Sequence, residues 1–190
     1  MLLMDSAYEL FTDIGFHKTT IAMISKHAGL GKGTFYLYFR DKEDIRDAII
    51  VQRSAKILQD AMEKLEPDRQ SMKFYDRLIK LTDYIIDYFT ENKKEFGFIS
   101  KSLSSCLLEV SDDEPGSVQL FDLEEFIRGL LKKSNVVLKD QRMFVYTVIE
   151  LVNSTCLSPI VAGVPVTMDE YKPFLYHTLK LLTDDQVVSE

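Results

Sequence analysis

The sequence predicts an all-α protein of about nine helices, with a short N-terminal domain and a larger C-terminal one. Apolar residues recur at helical spacing along most of the 190 residues, whereas alternating strand patterns are scarce. Of the five prolines, only Pro159 and Pro173 lie within apolar-periodic segments. This length is enough for one or two domains.

The first predicted helix covers residues 2–13 and ends at Gly15, a residue that suits a helix stop. Its apolar side chains share one face: Leu3, Ala7, Leu10, Phe11 and Ile14. Thr20 is suited to cap a second helix over residues 21–27, because its hydroxyl can accept a first-turn N–H. Gly29 then permits the positive φ that a tight turn requires.

A short third helix is predicted over residues 32–38, and a long fourth helix follows Asp41. Asp41 suits the N-cap of the fourth helix, and Asp44 lies three residues further on. An apolar stripe runs along this helix to the Glu66-Pro-Asp-Arg segment: Ile45, Ile49, Ala55, Leu58, Met62 and Leu65.

Five more helices are predicted in the rest of the chain, near residues 71–90, 94–110, 118–133, 139–161 and 167–182. The polar run 111–117 is a loop by composition. Thr167 and Glu170 have the spacing of a capping box at the start of the last helix. The helix near 139–161 is apolar on more than one face, which predicts that it is buried or paired.

The composition is that of an ordinary globular protein, with 46% hydrophobic and 28% charged residues. The net charge of -7 is unusual for a protein that binds a polyanion, but the charged residues are unevenly distributed along the sequence. Residues 14–40 contain no Asp or Glu and four basic residues: Lys18, Lys26, Lys32 and Arg40.

The sequence predicts neither an enzyme nor a metal or cofactor site. It has three histidines, no Gly-x-Ser-x-Gly motif, no phosphate-binding glycine loop and no metal-ligand cluster. The two cysteines, Cys106 and Cys156, lack metal-like spacing and suggest a reducing compartment. No signal peptide or apolar run of about 18 residues is evident, so we expect a cytoplasmic protein without a membrane partner.

The segment 20–42 has the pattern of a helix-turn-helix, with two short helices around a glycine turn and basic or polar groups on the second. A small shared core is available from Ile24, Ala28, Leu30 and Phe35. Thr20 and Thr34 place hydroxyls near helix N-termini, where main-chain amides favour a phosphate. The Tyr36 phenol and the Lys42 ammonium are further candidates for holding phosphates.

These residues resemble the N-terminal pattern of the tetracycline-repressor (TetR) family of transcription regulators. The resemblance covers residues 3 to about 49 and rests on Leu10-Phe11, Gly15-Phe16, Thr19-Thr20, Ile24-Ser25, Ala28-Gly29-Leu30-Gly31, Gly33-Thr34-Phe35-Tyr36, Phe39 and Lys42-Glu43. It implies a three-helix DNA-binding domain over residues 1–46 and a helical ligand-binding and dimerisation domain over 47–190. It also implies a homodimer that pairs through its last two helices.

The resemblance assigns roles to seven residues. It places Lys32, Gly33 and Tyr38 at base or groove contacts, with guanine a natural partner for Lys32. It places Thr20, Thr34, Tyr36 and Lys42 at phosphates, which set register rather than sequence.

The chain departs from the family at Gly31, where a Ser is usual, and at Ser25, where an Ala is usual. Only Met1 and Leu2 precede Leu3, the first residue on the apolar face of the first helix, whereas many relatives carry a basic arm there. Either the DNA affinity is modest, or the sequence starts after such an arm.

The resemblance also implies a small-molecule effector in the C-terminal domain. Six aromatic residues are candidates for lining its pocket: Tyr75, Tyr84, Tyr88, Phe89, Phe98 and Phe144. The phenols would add polar groups to an apolar wall. Asp87 or Glu150 would attract a cation if it were buried.

The leading hypothesis is a repressor that binds a palindromic double-stranded DNA operator as a homodimer and is released by a small molecule. One alternative is a redox-sensing regulator that uses Cys106 or Cys156. Another is a TetR-like helical interaction protein without DNA binding.

Overall fold

The computed structural model describes residues 2–65, 72–103, 128, 129, 131 and 136–189. These ranges contain eight complete helices and two short strands. The helices are α1 Leu2–Asp13, α2 Ile21–His27, α3 Lys32–Phe35, α4 Lys42–Leu65, α5 Phe74–Glu91, α6 Lys93–Ile99, α7 Gln141–Ala162 and α8 Met168–Gln186. The strands are β1 Val137–Leu138 and β2 Val187–Ser189. The predicted all-α class is confirmed.

Several features differ from the sequence prediction. The third helix, predicted over 32–38, stops at Phe35, and residues 36–38 form a turn. The helix predicted over 94–110 is interrupted: α6 stops at Ile99, residues 100–102 form a turn and residue 103 is helical again, while 104–110 lie outside the described residues. Strands β1 and β2 were not predicted; they form an antiparallel pair in which Val137 faces Ser189 and Leu138 faces Val187. Such short β-branched runs carry no readable alternation. The helix predicted near 118–133 lies mostly outside the described residues.

By contacts, the described chain divides into two units: residues 2–55 with 101–103, and residues 56–100 with the described residues from 128 onward. One division thus falls within α4. The first unit holds α1 to α3 and the first part of α4. Its core is built from fully buried side chains, among them Ala7, Ile24, Phe35 and Ile45. The Arg53 guanidinium stacks on the Tyr8 ring, 3.3 Å from its centroid, and so joins α4 to α1. The predicted boundary between residues 46 and 47 stays a prediction.

The second unit packs α5 and α6 against α7 and α8. Buried aromatic rings pack in pairs: Phe89 stacks on Phe96 with centroids 4.3 Å apart, and Phe74 meets Phe144 at 5.9 Å. Polar contacts join α5 to α8. The Lys172 ammonium pairs with Asp83 and Asp87, each at 3.0 Å, while the Tyr75 hydroxyl donates to the Tyr176 carbonyl at 3.1 Å and the Tyr176 hydroxyl donates to Asp83.

The capping box predicted at Thr167 and Glu170 is present at the start of α8. The Thr167 amide donates to the Glu170 carboxylate at 2.9 Å, which holds the pKa of that carboxyl below its usual range. Helix α7 ends at Gly163, whose φ of 67° lies in the left-handed region.

Helix α7 alone among the described helices is long and apolar enough to cross a membrane, judged by length and composition only. A core helix of a soluble protein meets the same criterion. Helix α7 also carries Pro159 and the buried Asn153. The expected absence of a membrane partner stays a prediction.

Candidate nucleic-acid interface

The turn after α2 is a Schellman motif. The Leu30 amide donates to the Ser25 carbonyl at 2.8 Å, and the Gly29 amide donates to the Lys26 carbonyl at 3.1 Å. Gly29 has φ of 68°, the left-handed conformation that the motif needs and that glycine adopts without strain. The glycine turn predicted from the sequence therefore sets the direction in which α3 leaves α2.

The aromatic residues of α3 and the turn after it divide between core and surface. Phe35 and Phe39 are buried, with exposed fractions of 0% and 7%, and their rings lie 5.7 Å apart. Tyr36 and Tyr38 are exposed, at 52% and 67%. The buried phenylalanines anchor the segment, so both tyrosines are available to a partner.

An exposed stripe is formed by Lys32 and Gly33 of α3 and by Tyr36, the residue that caps the helix. The Lys32 ammonium lies 5.9 Å from the centre of the Tyr36 ring, one helical turn further on. A Cβ added at Gly33 would have no atom within 4 Å. A flat surface of main chain therefore lies beside a cation and a phenol, an arrangement suited to close approach by a DNA groove.

The N-termini of α2 and α3 are capped differently. Thr20 caps α2 as predicted, because its hydroxyl accepts from the Met23 amide at 3.2 Å. Gly31 is the N-cap of α3 and supplies no side-chain hydrogen bond. The Thr34 amide instead donates to the Gly31 carbonyl at 2.9 Å. The hydroxyls of Thr20 and Thr34 keep donor capacity toward a phosphate, and that role stays a prediction.

Lys42 has an internal role that the sequence did not reveal. Its ammonium donates to the carbonyls of Phe16 and Thr19 at 2.8 and 3.0 Å and lies 4.3 Å from the Phe16 ring centre. Two of its three donor positions are thus used within the protein. At most one N–H group of the Lys42 ammonium is left for a phosphate, and the predicted phosphate contact remains a prediction.

Ser25 is buried on α2, next to the fully buried Ile24. The side chain is 2% exposed, and its hydroxyl has no hydrogen-bond partner among the described residues. A small residue is required where α2 meets its neighbours, but the hydroxyl adds only a desolvation cost.

Leu37 was missed by sequence reasoning. It is 79% exposed, the highest value among the exposed large apolar residues of the described chain. It lies in the turn that follows α3, between the exposed Tyr36 and Tyr38. Exposure of an apolar side chain cannot be recognised from a sequence without its packing.

The sequence profile of bacterial regulatory proteins of the tetR family matches residues 3–49, the segment that contains this interface. An uncharacterized HTH-type transcriptional regulator of Bacillus subtilis, YhgD, is 31% identical over 87 residues, 46% of this chain and 44% of the relative. The fatty acid metabolism regulator protein of the same organism is 34% identical over 68 residues, 36% of this chain and 33% of the relative. The matches thus span less than half the length of these curated relatives.

Residues 3–49 of the chain belong to the tetR family of bacterial regulatory proteins.

Solved tetR-type structures have the same fold over nearly the whole chain. Thermus thermophilus FadR in complex with lauroyl-CoA superposes with a TM-score of 0.67 at 20% identity, covering 100% of this chain and 95% of that one. Bacillus subtilis FadR in complex with stearoyl-CoA superposes with a TM-score of 0.54 at 17% identity, covering 94% and 96%. At these identities the likeness shows the fold alone.

In the second unit, the three predicted phenols do not form one wall. Tyr75 contacts the α8 main chain, whereas the Tyr88 hydroxyl donates to Glu95 of α6 at 2.7 Å. The Tyr84 ring lies 4.4 Å from the Lys64 ammonium of α4. At 100° per residue, Tyr75 and Tyr84 lie on opposite sides of α5.

The predicted phenylalanines are also separated. Phe89 and Phe144 are buried in different ring pairs, and Phe98 is half-buried on α6. Their role in lining a pocket stays a prediction.

The structure argues against Cys156 as the thiol of a redox-sensing regulator. Cys156 is fully buried in α7, and burial raises the pKa of its thiol to about 11. An oxidant sensor needs a cysteine that is both accessible and readily ionised to the thiolate. Cys156 is buried, and its raised pKa disfavours the thiolate. Cys106 lies outside the described residues.

Proposed function

We propose that this chain is a cytoplasmic DNA-binding transcriptional repressor that binds a palindromic operator as a homodimer and is released by a small molecule. The observation that carries the proposal is the exposed face of α3 behind a Schellman turn, with Lys32, Gly33 and Tyr36 in one stripe. The segment 14–40 that contains it has four basic residues and no acidic one, a charge balance that favours phosphate approach.

A homodimer is supported by the apolar surface of α8. Phe174 and Leu181 lie seven residues apart on one helical face, and they are 65% and 57% exposed. Helix α7 also exposes Val161, at 46%. Large apolar groups in one patch mark an interaction surface, and a second copy related by a two-fold axis would bury the same patch on both chains. Two recognition helices would then meet half-sites about 34–36 Å apart.

An acyl-CoA is the first effector to test. The complexes with lauroyl-CoA and stearoyl-CoA belong to FadR proteins of the same fold, and one curated relative is a fatty acid metabolism regulator. The effector would favour a conformation whose recognition helices are wrongly spaced for the operator. A coupling free energy of about 1–3 kcal/mol is typical for such a response.

The DNA-binding proposal is tested by selecting duplexes from a random pool with the purified chain and measuring affinity for the selected site by fluorescence anisotropy. Lys32→Ala and Tyr36→Phe should weaken binding without changing the melting temperature. Lys94→Ala removes an exposed charge on α6 and serves as the matched control, because it should leave affinity unchanged. Failure to enrich any duplex would support the interaction-protein alternative instead.

The dimer proposal is tested by analytical ultracentrifugation. Phe174→Asp and Leu181→Asp should each shift the chain to a monomer and weaken operator binding. Leu2→Asp alters an equally exposed apolar residue, at 66%, on α1 and should leave the mass unchanged. A wild-type monomer at micromolar concentration would refute this part of the proposal.

A further inference from the structure

Three side-chain oxygens in the second unit are enclosed without a hydrogen-bond partner among the described residues. They are Ser100 Oγ, Glu150 Oε1 and Asn153 Oδ1, called here the buried oxygen cluster. The Asn153 side chain as a whole is only 7% exposed. Buried polar groups in folded proteins are nearly always paired, so three orphans in one region require a cause.

The three residues belong to one contact between two helices. Glu150 and Asn153 lie three residues apart on α7 and therefore share a face. The Asn153 amide donates to the main-chain carbonyl of Ser100, the residue that ends α6, at 3.3 Å. The cluster thus sits where the end of α6 meets the middle of α7.

The cluster has more acceptors than donors. The Asn153 Oδ1 and a Glu150 carboxylate oxygen can only accept hydrogen bonds, while the Ser100 hydroxyl can donate or accept. The amide nitrogen of Asn153 is already used toward Ser100. A group that satisfies this cluster must therefore bring N–H or O–H donors.

Two residues next to the cluster are buried and apolar. On α6, Ile99 precedes Ser100 and is 1% exposed. On α7, Cys156 follows Asn153 by three residues and is fully buried. Polar groups that converge in apolar surroundings are the usual arrangement of a small-molecule site.

We propose that the buried oxygen cluster is a subsite that binds the hydrogen-bond-donating head group of an amphiphile with an apolar chain. Its role as an effector subsite rests on the ligand response proposed above. In an acyl-CoA, the amide N–H groups of the pantetheine arm would be the donors. An ionised free fatty acid brings none and would face the Glu150 carboxylate.

The test uses four probes with the same alkyl length on the full chain without DNA: dodecanamide, dodecylamine, methyl dodecanoate and dodecanoate. Affinities are measured by isothermal titration calorimetry below the micelle concentration of each probe. The amide and the amine should bind at least about tenfold more tightly than the ester, which has the same chain but no donor. Dodecanoate should bind most weakly. A preference for the amine over the amide would identify a cationic head group, and the reverse a neutral one.

Three variants separate a binding role from a structural one. Asn153→Leu should remove the preference for donors, and Glu150→Gln should reduce amine affinity more than amide affinity. Ser154→Ala changes an exposed neighbour on α7 and should alter nothing.

Equal affinities for the amide and the ester would overturn the proposal. A variant that only raises the melting temperature, with probe affinities unchanged, would also overturn it. The probe affinities are measured without DNA, so they stay valid if the repressor proposal fails. Conversely, a result that overturns the subsite does not affect the proposed operator binding.

Discussion

The ammonium of Lys42, the first residue of α4, donates to the main-chain carbonyl of Phe16 at 2.8 Å. The same ammonium donates to the Thr19 carbonyl at 3.0 Å, next to the Thr20 cap of α2. The charge also lies over the Phe16 ring. One side chain therefore ties the start of α4 to the loop between α1 and α2, which fixes where the helix-turn-helix begins.

Replacing Lys42 should destabilise the folded protein, whether or not this residue also contacts DNA. Lys42→Ala removes two charge-assisted hydrogen bonds to carbonyls, and the expected loss is about 1–3 kcal/mol of the free energy of unfolding. Urea denaturation followed by circular dichroism measures this loss. Lys32→Ala is the matched control because Lys32 is exposed, and it should leave the unfolding midpoint unchanged. If both variants unfold at the wild-type midpoint, Lys42 has no clamping role.

Ser25→Ala should stabilise the protein. The buried hydroxyl has no partner among the described residues, and removing an unsatisfied group is expected to gain about 1 kcal/mol. Thermal denaturation measures the gain. Ser154→Ala makes the same substitution at an exposed helical position, so it controls for the helix propensity of alanine. A gain no larger than that of Ser154→Ala would contradict the assignment of a desolvation cost to the Ser25 hydroxyl.

The helix caps were predictable because their chemistry is local. Thr20, Asp41 and Thr167 each accept a hydrogen bond from an amide three residues further on, so the sequence alone places donor and acceptor together. The glycine turn at Gly29 was predictable for the same reason. Such features depend on residues within one helical turn of each other.

Contacts between distant segments were not predictable. Lys42 meets a carbonyl 26 positions earlier, and nothing in the local sequence distinguishes this role from a phosphate contact. The phenols Tyr75 and Tyr88 looked alike in sequence, yet one contacts α8 and the other α6. Which neighbour a side chain meets depends on helix packing, and a single sequence records that only as apolar periodicity.

Gly33→Ala should separate DNA binding from folding. A Cβ at this position would meet no atom within 4 Å, and alanine in a helix is favoured over glycine by about 0.5–1 kcal/mol, so stability should not fall. Operator affinity should fall about tenfold if the main chain at Gly33 approaches the groove closely. Anisotropy titrations and a thermal melt of the same sample give both quantities. Unchanged affinity would show that DNA does not approach this position.

The Cys156 thiol should be unreactive in the folded protein. Because burial raises its pKa to about 11 from an ordinary value of 9.0, the folded state keeps the proton while the unfolded state loses it. Stability should therefore fall as pH rises from about 9 to 11, since the folded state binds more protons there. In a Cys106→Ser background, a chromogenic disulfide reagent should label Cys156 only after urea is added. Rapid labelling of the folded chain would restore the redox alternative.

Leu37 should contribute to sequence specificity by contacting thymine methyl groups. Its side chain is 79% exposed in the turn after α3, and apolar contact with the thymine methyl is an established form of major-groove readout. Leu37→Ala should weaken binding to the selected operator by about fivefold to tenfold. Replacing single thymines by deoxyuridine removes the methyl alone and should produce the same loss at one position in each half-site.

Combining the Leu37→Ala variant with deoxyuridine in the DNA distinguishes a direct contact between Leu37 and a thymine methyl from an indirect effect. If Leu37 contacts one methyl, deoxyuridine at that position should weaken the wild-type chain but not the Leu37→Ala variant, so the two losses do not add. Lys32→Ala serves as the control, since its loss should add to that of deoxyuridine. If the affinity losses from Leu37→Ala and from deoxyuridine add at every thymine, Leu37 does not contact a thymine methyl. This result would hold even if the chain binds its operator.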